Sequence, residues 1–508
     1  MRCAAVIEIL LFFSSSAAGC STSKYIRVKN QPLCYAQGWR HPILSSLLSL
    51  SVSAILITAQ AAPVSPTVDQ QKIGNFDQLA REETWIEKRP NAAGQIEAIT
   101  VTAKIWTHAM QATLDAEGTL NIPARHQPYY LDAPLVLRSG QRIVADKDAE
   151  IRLKPGCNTC LVRNAGIVSF RDSPVPSDTN PDIDISVEGG IWSTLAVSKS
   201  ESNGNARGHS AKENYAFGTH GVILLQNVRR VRVANVTVRQ SRPFAVHLSN
   251  VQNFEVENIH LDDHMRDGVH VNGPASDGLI RNVAGVSHDD TVALNAWDWK
   301  NYAPSYGPIE RVVIEDVRGG PAGVPSANAI RLLPGVKKFD DGTQLDCHLS
   351  DVTIRRVTDI DYFKIYDQPN LELGRQTDFS AGVGNVNNLR FESLVFTRPS
   401  RIELHANTNG ISIQGVRLMH PTPPDWHLLF IGPKSQTYKT PNPDRWTEIF
   451  SPDLDCTVRD VSIAEVRPAG STTDMPVERV AAVVEQQLNS DYPRTTPRGG
   501  TGKGIWIR

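Results

Sequence analysis

The chain has little net charge and no strongly basic segment. Its 52 Lys and Arg residues nearly balance 54 Asp and Glu residues, leaving a formal charge of −2. A protein that binds nucleic acid through its phosphates needs concentrated basic residues, so this sequence predicts no nucleic-acid partner. Gly and Pro, at 35 and 32 of 508 residues, are too few for collagen or a low-complexity linker. The hydrophobic content of 40% is typical of a globular protein.

Cysteine is scarce, with seven residues in the whole chain, three of them before residue 35. Cys157 and Cys160 form a CxxC pair, but no second CxxC motif follows, so we expect no metal site there. The pair is interpreted as a local disulfide or as two free thiols. The sequence leaves open whether Cys347 and Cys456 are joined.

Long hydrophobic runs are absent too. No unbroken stretch of ~20 apolar residues is present, so we expect no membrane-spanning helix and no stable membrane partner. A shorter apolar segment, 43–58, follows the basic residues Arg27, Lys29 and Arg40 and ends in Ala59-Gln60-Ala61, a small-x-small cleavage pattern. We therefore predict an export segment over residues 1–61 and a secreted or periplasmic protein.

What the sequence does have is a repeat. Three consecutive blocks of 23 residues, 228–250, 251–273 and 274–296, share one hydrophobic pattern. Short alternations of Val, Ile and Leu are broken by Asn, Gly and Ser, as in strands separated by tight turns. A fixed period of this length predicts a solenoid. The positions expected in register are Val233/Val256/Leu279, Val246/Val269/Val292 and Leu248/Val271/Leu294.

Leucine-rich repeats have a similar period, but they need Leu at several positions where this chain has Val and Ile. An all-β parallel β-helix fits better, with one block forming one coil. A short amphipathic helix over 106–116 is expected to cover the open end of the sheets. We predict a lead-in over 62–99, the β-helix over 100–468 and a tail over 469–508, and we expect a monomer.

The period also places acidic residues. Asp267 and Asp290 are 23 residues apart, so they should occupy the same position on successive coils, ~4.8 Å apart, with Asp289 beside them. Carboxylates this close repel one another, which raises at least one pKa and couples their titration. Such a pair suits glycoside hydrolysis, which needs one protonated and one ionised acid. A solvated acidic turn or a calcium site is the alternative.

A second set of residues lies one position before the last apolar residue of each coil and should face outward. From His270 and Arg331 we expect contacts to the hydroxyls or carboxylates of a sugar chain. His247 and Lys364, in the same column, are interpreted as routine surface charge. Trp297 and Trp299 follow the acids closely and are candidates for sugar platforms, with burial under a loop as the alternative.

Three motifs resemble the polygalacturonase family, glycoside hydrolases with a right-handed parallel β-helix. Asp267-Gly268-Val269-His270-Val271 is similar to N-T-D-G-[IV]-D-[IV], with Arg266 in place of its Thr. The segment from Asp289 to Asn295 is similar to G-D-D-C-[IV]-A-[IV]-N, with His288 in place of the first Gly. The strand from Asn328 to Leu332 resembles N-G-[VI]-R-I-K.

The resemblance implies inverting hydrolysis of a polysaccharide or oligosaccharide without metal or cofactor. It implies that Asp289 is the general acid, that Asp267 and Asp290 activate water, and that His270, His288 and Arg331 lie at the substrate. The family's G-H-G motif has no counterpart here, and Leu333 replaces its Lys, so the glycan is either pectin-like or a related, less acidic one. A β-helix polysaccharide lyase or epimerase and a non-catalytic glycan-binding solenoid are the alternatives.

Overall fold

Alternating apolar residues give the strands one inward row of side chains, and this row fills the interior. Val246, Leu248, Val269 and Val271, for example, are fully buried. Each strand pairs in parallel with the same segment of the next coil. The chain therefore builds its core by stacking equivalent side chains along one axis, as the repeat predicts.

The computed structural model describes residues 72–198, 200–205, 221–299, 302–321, 328–366, 380–423, 426–431 and 456–483. The predicted export segment, 1–61, lies outside them, as does much of the predicted tail. A 3₁₀ turn at Asp77–Leu79 precedes the first strand. The strands and helices are β1 Arg81–Pro90, β2 Ile96–Ile105, α1 Thr107–Glu117, β3 Thr119–Ile122, β4 Tyr129–Leu131, β5 Leu135–Leu137, β6 Arg142–Ala145, β7 Glu150–Leu153, β8 Val162–Asn164, β9 Asp182–Glu188, β10 Ile191–Ser193, β11 Gly221–Ala234, β12 Thr237–Arg239, β13 Phe244–His264, β14 Val269–Ser287, β15 Asp290–Asn295, β16 Ile309–Glu315, β17 Ala329–Leu333, β18 Gly335–Lys338, β19 Gln344–Cys347, β20 Leu349–Arg355, β21 Tyr362–Tyr366, β22 Asn385–Glu392, β23 Val395–Phe396, β24 Arg401–His405, β25 Asn407–Leu418, β26 Leu429–Ile431, β27 Val458–Pro468, α2 Val477–Val480 and β28 Ala481–Val483.

The strands form three parallel sheets, which we call A, B and C in the order in which a coil visits them. Sheet A contains β5, β8, β15, β17, β21, β24, β26 and β28; sheet B contains β3, β6, β9, β16, β20 and β22; and sheet C contains β4, β7, β10, β12 and β23. The long strands β11, β13, β14, β25 and β27 bend from one sheet into the next. The fold is a right-handed parallel β-helix, the usual hand for parallel crossover connections, and the predicted fold class is confirmed.

The predicted register is confirmed in sheet A. Its two inward rows contain the neighbours Val246/Val269/Val292 and Leu248/Val271/Leu294.

In sheet B the predicted register is wrong at one position. Val256 pairs with Ile280, whereas Leu279 pairs with Glu255. The partners shift between Ser249 and Val251, because one additional residue is accommodated at the turn around Gly273. A shift of one residue exchanges the two faces of a strand, so Ile280 is fully buried and Leu279 is only half-buried.

The corner between sheets B and C is a single residue with left-handed backbone on eight successive coils. This conformation is uncommon outside glycine, and asparagine adopts it more readily than most residues. Asn258 donates from Nδ2 to Oδ1 of Asn235 at 2.8 Å, and Asn282 donates to Asn258 at 2.7 Å, forming a ladder. The eight corner residues are Asn235, Asn258, Asn282, Asp316, Arg356, Ser393, Gly415 and Glu465. Longer connections instead border sheet A, including the antiparallel hairpin β18–β19.

The amino-terminal end of the coil stack is covered as predicted. Ala109, Met110 and Leu114 of α1 are fully buried in the same core as the coils. Gln111 connects this helix to sheet A by two hydrogen bonds: its Nε2 donates to the carbonyl of Val136, and its Oε1 accepts from the backbone N–H of Val136. The helix thereby shields the first strands from water and from further strand pairing. The antiparallel strands β1 and β2 precede it, inside the predicted lead-in.

Cys157, Cys160 and Cys347 are free thiols, so no disulfide joins Cys157 to Cys160 or Cys347 to Cys456. Burial raises the pKa of Cys160 and of Cys347 to about 12, so neither is a reactive thiolate. Among the described helices, none is long and apolar enough to cross a membrane.

The register of sheet B predicts different effects for two adjacent residues. Ile280→Ala should lower the free energy of unfolding by about 2–5 kcal/mol, because it leaves a cavity in the packed core. Leu279→Ala should cost about 1 kcal/mol or less, since this side chain already touches solvent. Equilibrium unfolding in urea measures both.

If the 23-residue period continued unchanged into sheet B, Leu279 would face the core, and Leu279→Ala would cost more stability than Ile280→Ala. A larger loss for Leu279→Ala than for Ile280→Ala would contradict the register described here.

Candidate active site

One outward column of sheet A carries most of the predicted basic residues. Strand pairing places His247, His270, Ala293, Arg331 and Lys364 side by side on five successive strands, as predicted. The column points away from the core, but the chain after β15 covers part of it, so His247 and His270 are buried.

The three predicted acids come together at the turns that enter sheet A. The backbone N–H of Gly268 donates to the carbonyl of Asp290 at 2.9 Å, which stacks one turn on the next. Carboxylate oxygens of Asp267, Asp289 and Asp290 all lie within 4.8 Å of one another. The spacing along the sequence thus produces the expected cluster.

Buried polar contacts shape this turn. His264 donates from Nε2 to the carbonyl of Asp267 at 2.9 Å, and the Ser287 hydroxyl bonds the carbonyl of Arg266 at 2.8 Å. Gly268 leaves no room for a side chain, because a Cβ there would lie 2.5 Å from the carbonyl oxygen of Thr291. The glycine after Asp267 is therefore required by close packing between coils.

Asp290 is the ionised member of the cluster. Only 2% of its side chain is exposed; Arg331 donates from Nε to Oδ2 at 2.6 Å, and Lys364 donates from Nζ to Oδ1 at 2.7 Å. Burial acts to raise the pKa of this carboxyl, but the two cations outweigh it and lower the pKa to about 2. Asp290 consequently keeps its charge under all ordinary conditions.

Asp289 differs from its neighbour in accessibility and in charge. Its side chain is 38% exposed, whereas those of Asp267 and Asp290 are nearly covered, and the Nε of Arg266 lies 3.6 Å from its Oδ2. Burial of the carboxyl in the recess, together with the charges of Asp267 and Asp290, raises its pKa to about 6. Two adjacent residues therefore hold different protonation states in mildly acidic solution.

Asp267 is held by a histidine rather than by Arg or Lys. His270 lies against it with Nδ1 2.7 Å from Oδ2, and the other ring nitrogen is 3.0 Å from Oδ2 of Asp298. His270 is 2% exposed, so it does not reach a bound sugar directly. This position corrects its predicted role as a substrate contact.

Lys364 was not recognised as part of the site from the sequence. Its interpretation as surface charge is wrong, because its amine is paired with Asp290 and its side chain is 17% exposed. Leu333, at the position where the family has its Lys, is fully buried. Lys364 thus supplies a cation to Asp290 from the next coil. Its position in the basic column was the sequence feature from which this role could have been predicted.

His247 was also interpreted as surface charge, and this too is wrong, because the side chain is buried and burial lowers its pKa to about 3.

The predicted aromatic platform is present only in part. Trp297 is fully buried, so its role as a sugar platform is corrected: the ring has no open face. Trp299 is half-buried, and the guanidinium of Arg331 lies 5.5 Å from its ring centre. His288 has 20% of its side chain exposed and bonds Oδ1 of Asp263 at 2.8 Å. Trp299 and His288 are the accessible residues of this predicted set.

A metal ion is poorly matched to the acidic cluster. Three carboxylates within 4.8 Å are a donor set that calcium accepts. However, both oxygens of Asp290 already bind cationic side chains, and Arg266 lies near Asp289. A divalent cation would have to approach these positive groups, so the electrostatics disfavour the calcium alternative.

Comparison with known proteins gives similarity only at the level of fold. No family model matches the chain, and no curated protein matches it. Endo-xylogalacturonan hydrolase from Aspergillus tubingensis aligns with 78% of this chain and 96% of its own, at 12% identity and a TM-score of 0.37. The Yersinia enterocolitica family 28 exopolygalacturonase aligns over 80% and 83%, at 13% identity and a TM-score of 0.41. The Streptococcus pneumoniae surface adhesin PfbA aligns over 72% and 86%, at 11% identity and a TM-score of 0.34.

The charge distribution predicts opposite stability effects for adjacent residues. Asp289→Asn should stabilise the protein at pH 7.5 by on the order of 1 kcal/mol, because it removes a repelling charge that solvent partly screens. Asp290→Asn should destabilise it by about 3–5 kcal/mol, because it leaves Arg331 and Lys364 without their buried partner. Unfolding in urea measures both.

The raised pKa of Asp289 also predicts how the effect of Asp289→Asn on the free energy of unfolding depends on pH. An acid whose folded pKa is raised loses stability as the pH rises from its unfolded pKa, near 3.8, to about 6. The advantage of Asp289→Asn should therefore vanish below pH 4. An equal advantage at pH 4 and pH 7.5 would show that Asp289 is not repelled by its neighbours.

Proposed function

We propose that this protein hydrolyses O-glycosidic bonds in a polysaccharide or oligosaccharide, with Asp289 as general acid and Asp267 as general base. One observation carries the proposal: an accessible carboxyl with a raised pKa lies within 4.8 Å of carboxylates held by cations. Glycoside hydrolysis needs this combination of one protonated and one ionised acid.

The acid step belongs to Asp289. It is the most exposed of the three side chains, so a glycosidic oxygen can approach it. With a pKa of about 6 it holds a proton in mildly acidic solution, and it transfers that proton to the leaving oxygen as the bond to the anomeric carbon breaks.

The base step is best assigned to Asp267. Both oxygens of Asp290 are bonded to cations, whereas within the described residues only Oδ2 of Asp267 has a side-chain partner. Oδ1 of Asp267 is then left to orient a water. As that water attacks the anomeric carbon, its proton passes to Asp267, and solvent exchange restores both carboxyls after product release.

Arg331 and Trp299 are proposed to line the sugar beside the cleaved bond. The guanidinium is fixed by Asp290 and lies against the indole ring, which gives a planar cation next to an apolar surface. On the next strand of sheet A, Tyr362 is 37% exposed, and Arg401 of the strand after it lies 5.1 Å from the Tyr362 ring centre. Such rings suit the flat faces of a sugar chain.

Inversion of configuration is the stereochemistry that the motif resemblance implies. The spacing favours the other outcome, because one oxygen of each carboxyl lies within 4.8 Å of the others, which is nearer to the ~5 Å of retaining enzymes than to the ~6.5–9.5 Å of inverting ones. We propose inversion, to be tested by NMR of the first-formed anomer. A retained product would make one carboxylate a nucleophile and would leave the hydrolase proposal standing.

A screen of plant and microbial glycans, acidic and neutral, separates hydrolysis from its alternatives. Reducing-sugar release supports hydrolysis, whereas a product that absorbs through a new double bond supports a lyase. Binding without turnover across all glycans supports a non-catalytic solenoid. An exported protein, as proposed from residues 1–61, meets such glycans outside the cytoplasm.

Replacing the acid or the base should abolish most turnover while the fold is kept. Asp289→Asn and Asp267→Asn should each lower kcat by about 10²–10⁴-fold, because each removes one proton-transfer group. Initial rates of reducing-sugar release on the best glycan of the screen measure this.

Asp262→Asn is the matched control. Asp262 lies near the end of β13, is 41% exposed and pairs with Arg239, so its substitution should leave kcat within about two-fold. Full activity of the Asp289 and Asp267 variants would exclude the proposed mechanism.

The pH–rate profile should fall on its alkaline side as Asp289 ionises, with a midpoint near 6. Lys364→Met should move this limb to higher pH, because the positive charge of Lys364 lowers the pKa of Asp289. A limb that stays in place in Lys364→Met would assign it to another group.

A further inference from the structure

His270 lies between two carboxylates beneath the floor of the cleft. Its Nδ1 is 2.7 Å from Asp267 and its Nε2 is 3.0 Å from Asp298, and all three side chains are at least nine-tenths buried. Both nitrogens can donate hydrogen bonds only in the imidazolium form. The two carboxylates outweigh the effect of burial and raise the pKa of His270 to about 9.

Asp298 is held in place by further donors. Asn272 and Asn295 each donate from Nδ2 to its Oδ2 at 2.9 Å, and the backbone N–H of Trp299 donates to its Oδ1 at 2.8 Å. The two asparagines are neighbours in sheet A, so strand register fixes their spacing. Burial acts to raise the pKa of Asp298, but His270, together with Asn295 and Asn272, outweighs it, so the pKa is lowered and Asp298 stays ionised.

The ring of His270 is also fixed in orientation. Phe244 stacks on it with ring centres 3.9 Å apart and planes 3° from parallel, and His247 meets it edge-on at 5.1 Å. A ring packed in this way cannot swing toward the cleft. Its position depends on contacts that do not involve substrate.

We infer that His270 and Asp298 are positioning residues: Asp298 orients a charged His270, which holds Asp267 by Oδ2 and leaves Oδ1 to the attacking water. The inference rests on the proposed hydrolysis. In this arrangement the His270 proton stays between the carboxylates of Asp267 and Asp298 throughout the reaction. The other titratable or charged groups around His270 and Asp267 are Asp289, Asp290, Arg266, His264 and His247.

His420 offers a control outside the site. It is 9% exposed, it donates from Nδ1 to the backbone carbonyl of Pro421 at 2.8 Å, and its ring meets that of Trp426 edge-on. His420→Gln therefore removes a covered histidine ring away from the acids, whereas His270→Gln removes the cation that faces Asp267.

The kinetic experiment compares His270→Gln, Asp298→Asn and His420→Gln on the best glycan, with melting temperatures measured alongside. His270→Gln and Asp298→Asn should lower kcat by about 10–100-fold with KM within about three-fold, because the substrate still binds while Asp267 no longer holds the water in place. His420→Gln should leave kcat unchanged, whatever its melting temperature.

A structural role alone predicts lower melting temperatures with kcat unchanged below the unfolding transition, and that result would overturn the inference. An equal loss of kcat in His420→Gln would also overturn it. NMR titration of labelled histidines in the full chain is independent of turnover. His270 should stay charged to about pH 9 in the wild type and lose its proton at lower pH in Asp298→Asn.

The two proposals fail in distinguishable ways. A wild-type protein without hydrolysis on any glycan excludes the hydrolase and, with it, the positioning role, even where the titration shows the charged histidine. An active wild type whose His270→Gln variant keeps its kcat excludes only the positioning role.

Discussion

The parallel register of sheet A is the constraint on which the rest of the site depends. Because each coil repeats the position of the one before it, residues far apart in sequence become neighbours at strand spacing. This register places Asp290 beside Asp267, and Arg331 beside Lys364. No flexible loop has to fold correctly to bring the acids together. The cluster is as rigid as the hydrogen bonds between the coils.

Crowding three carboxylates costs free energy, and the structure offsets that cost unequally. Asp290 receives two cations, and Asp267 receives a histidine that is itself balanced by Asp298. Asp289 has the weakest compensation, since Arg266 is 3.6 Å away. The remaining repulsion is therefore concentrated on the one carboxyl that solvent reaches. The electrostatic repulsion thus destabilises the charged form of Asp289, the residue proposed as proton donor.

The sequence allowed the coil fold, the covering helix and the acidic cluster to be predicted, because all three follow from periodicity. It did not reveal Asp298, which lies in a connection that belongs to no repeat. Lys364 was visible in the basic column, but nothing in the pattern showed that its amine would turn toward Asp290. Leu279 was misplaced because one extra residue at a turn exchanges the faces of the next strand. Trp297 was misjudged because residue type does not distinguish a platform from a core side chain.

The single-residue corner between sheets B and C restricts where the connections between strands can vary in length. On the eight coils that use it, no length can be added at that corner without losing the left-handed turn. The connections next to sheet A carry no such limit: one additional residue is accommodated around Gly273, and the hairpin β18–β19 lies within a later connection. Variation in length is thus directed to the rim of the cleft. Exchange of these connections can therefore alter what binds beside Asp267, Asp289 and Asp290 while the three acids keep their places.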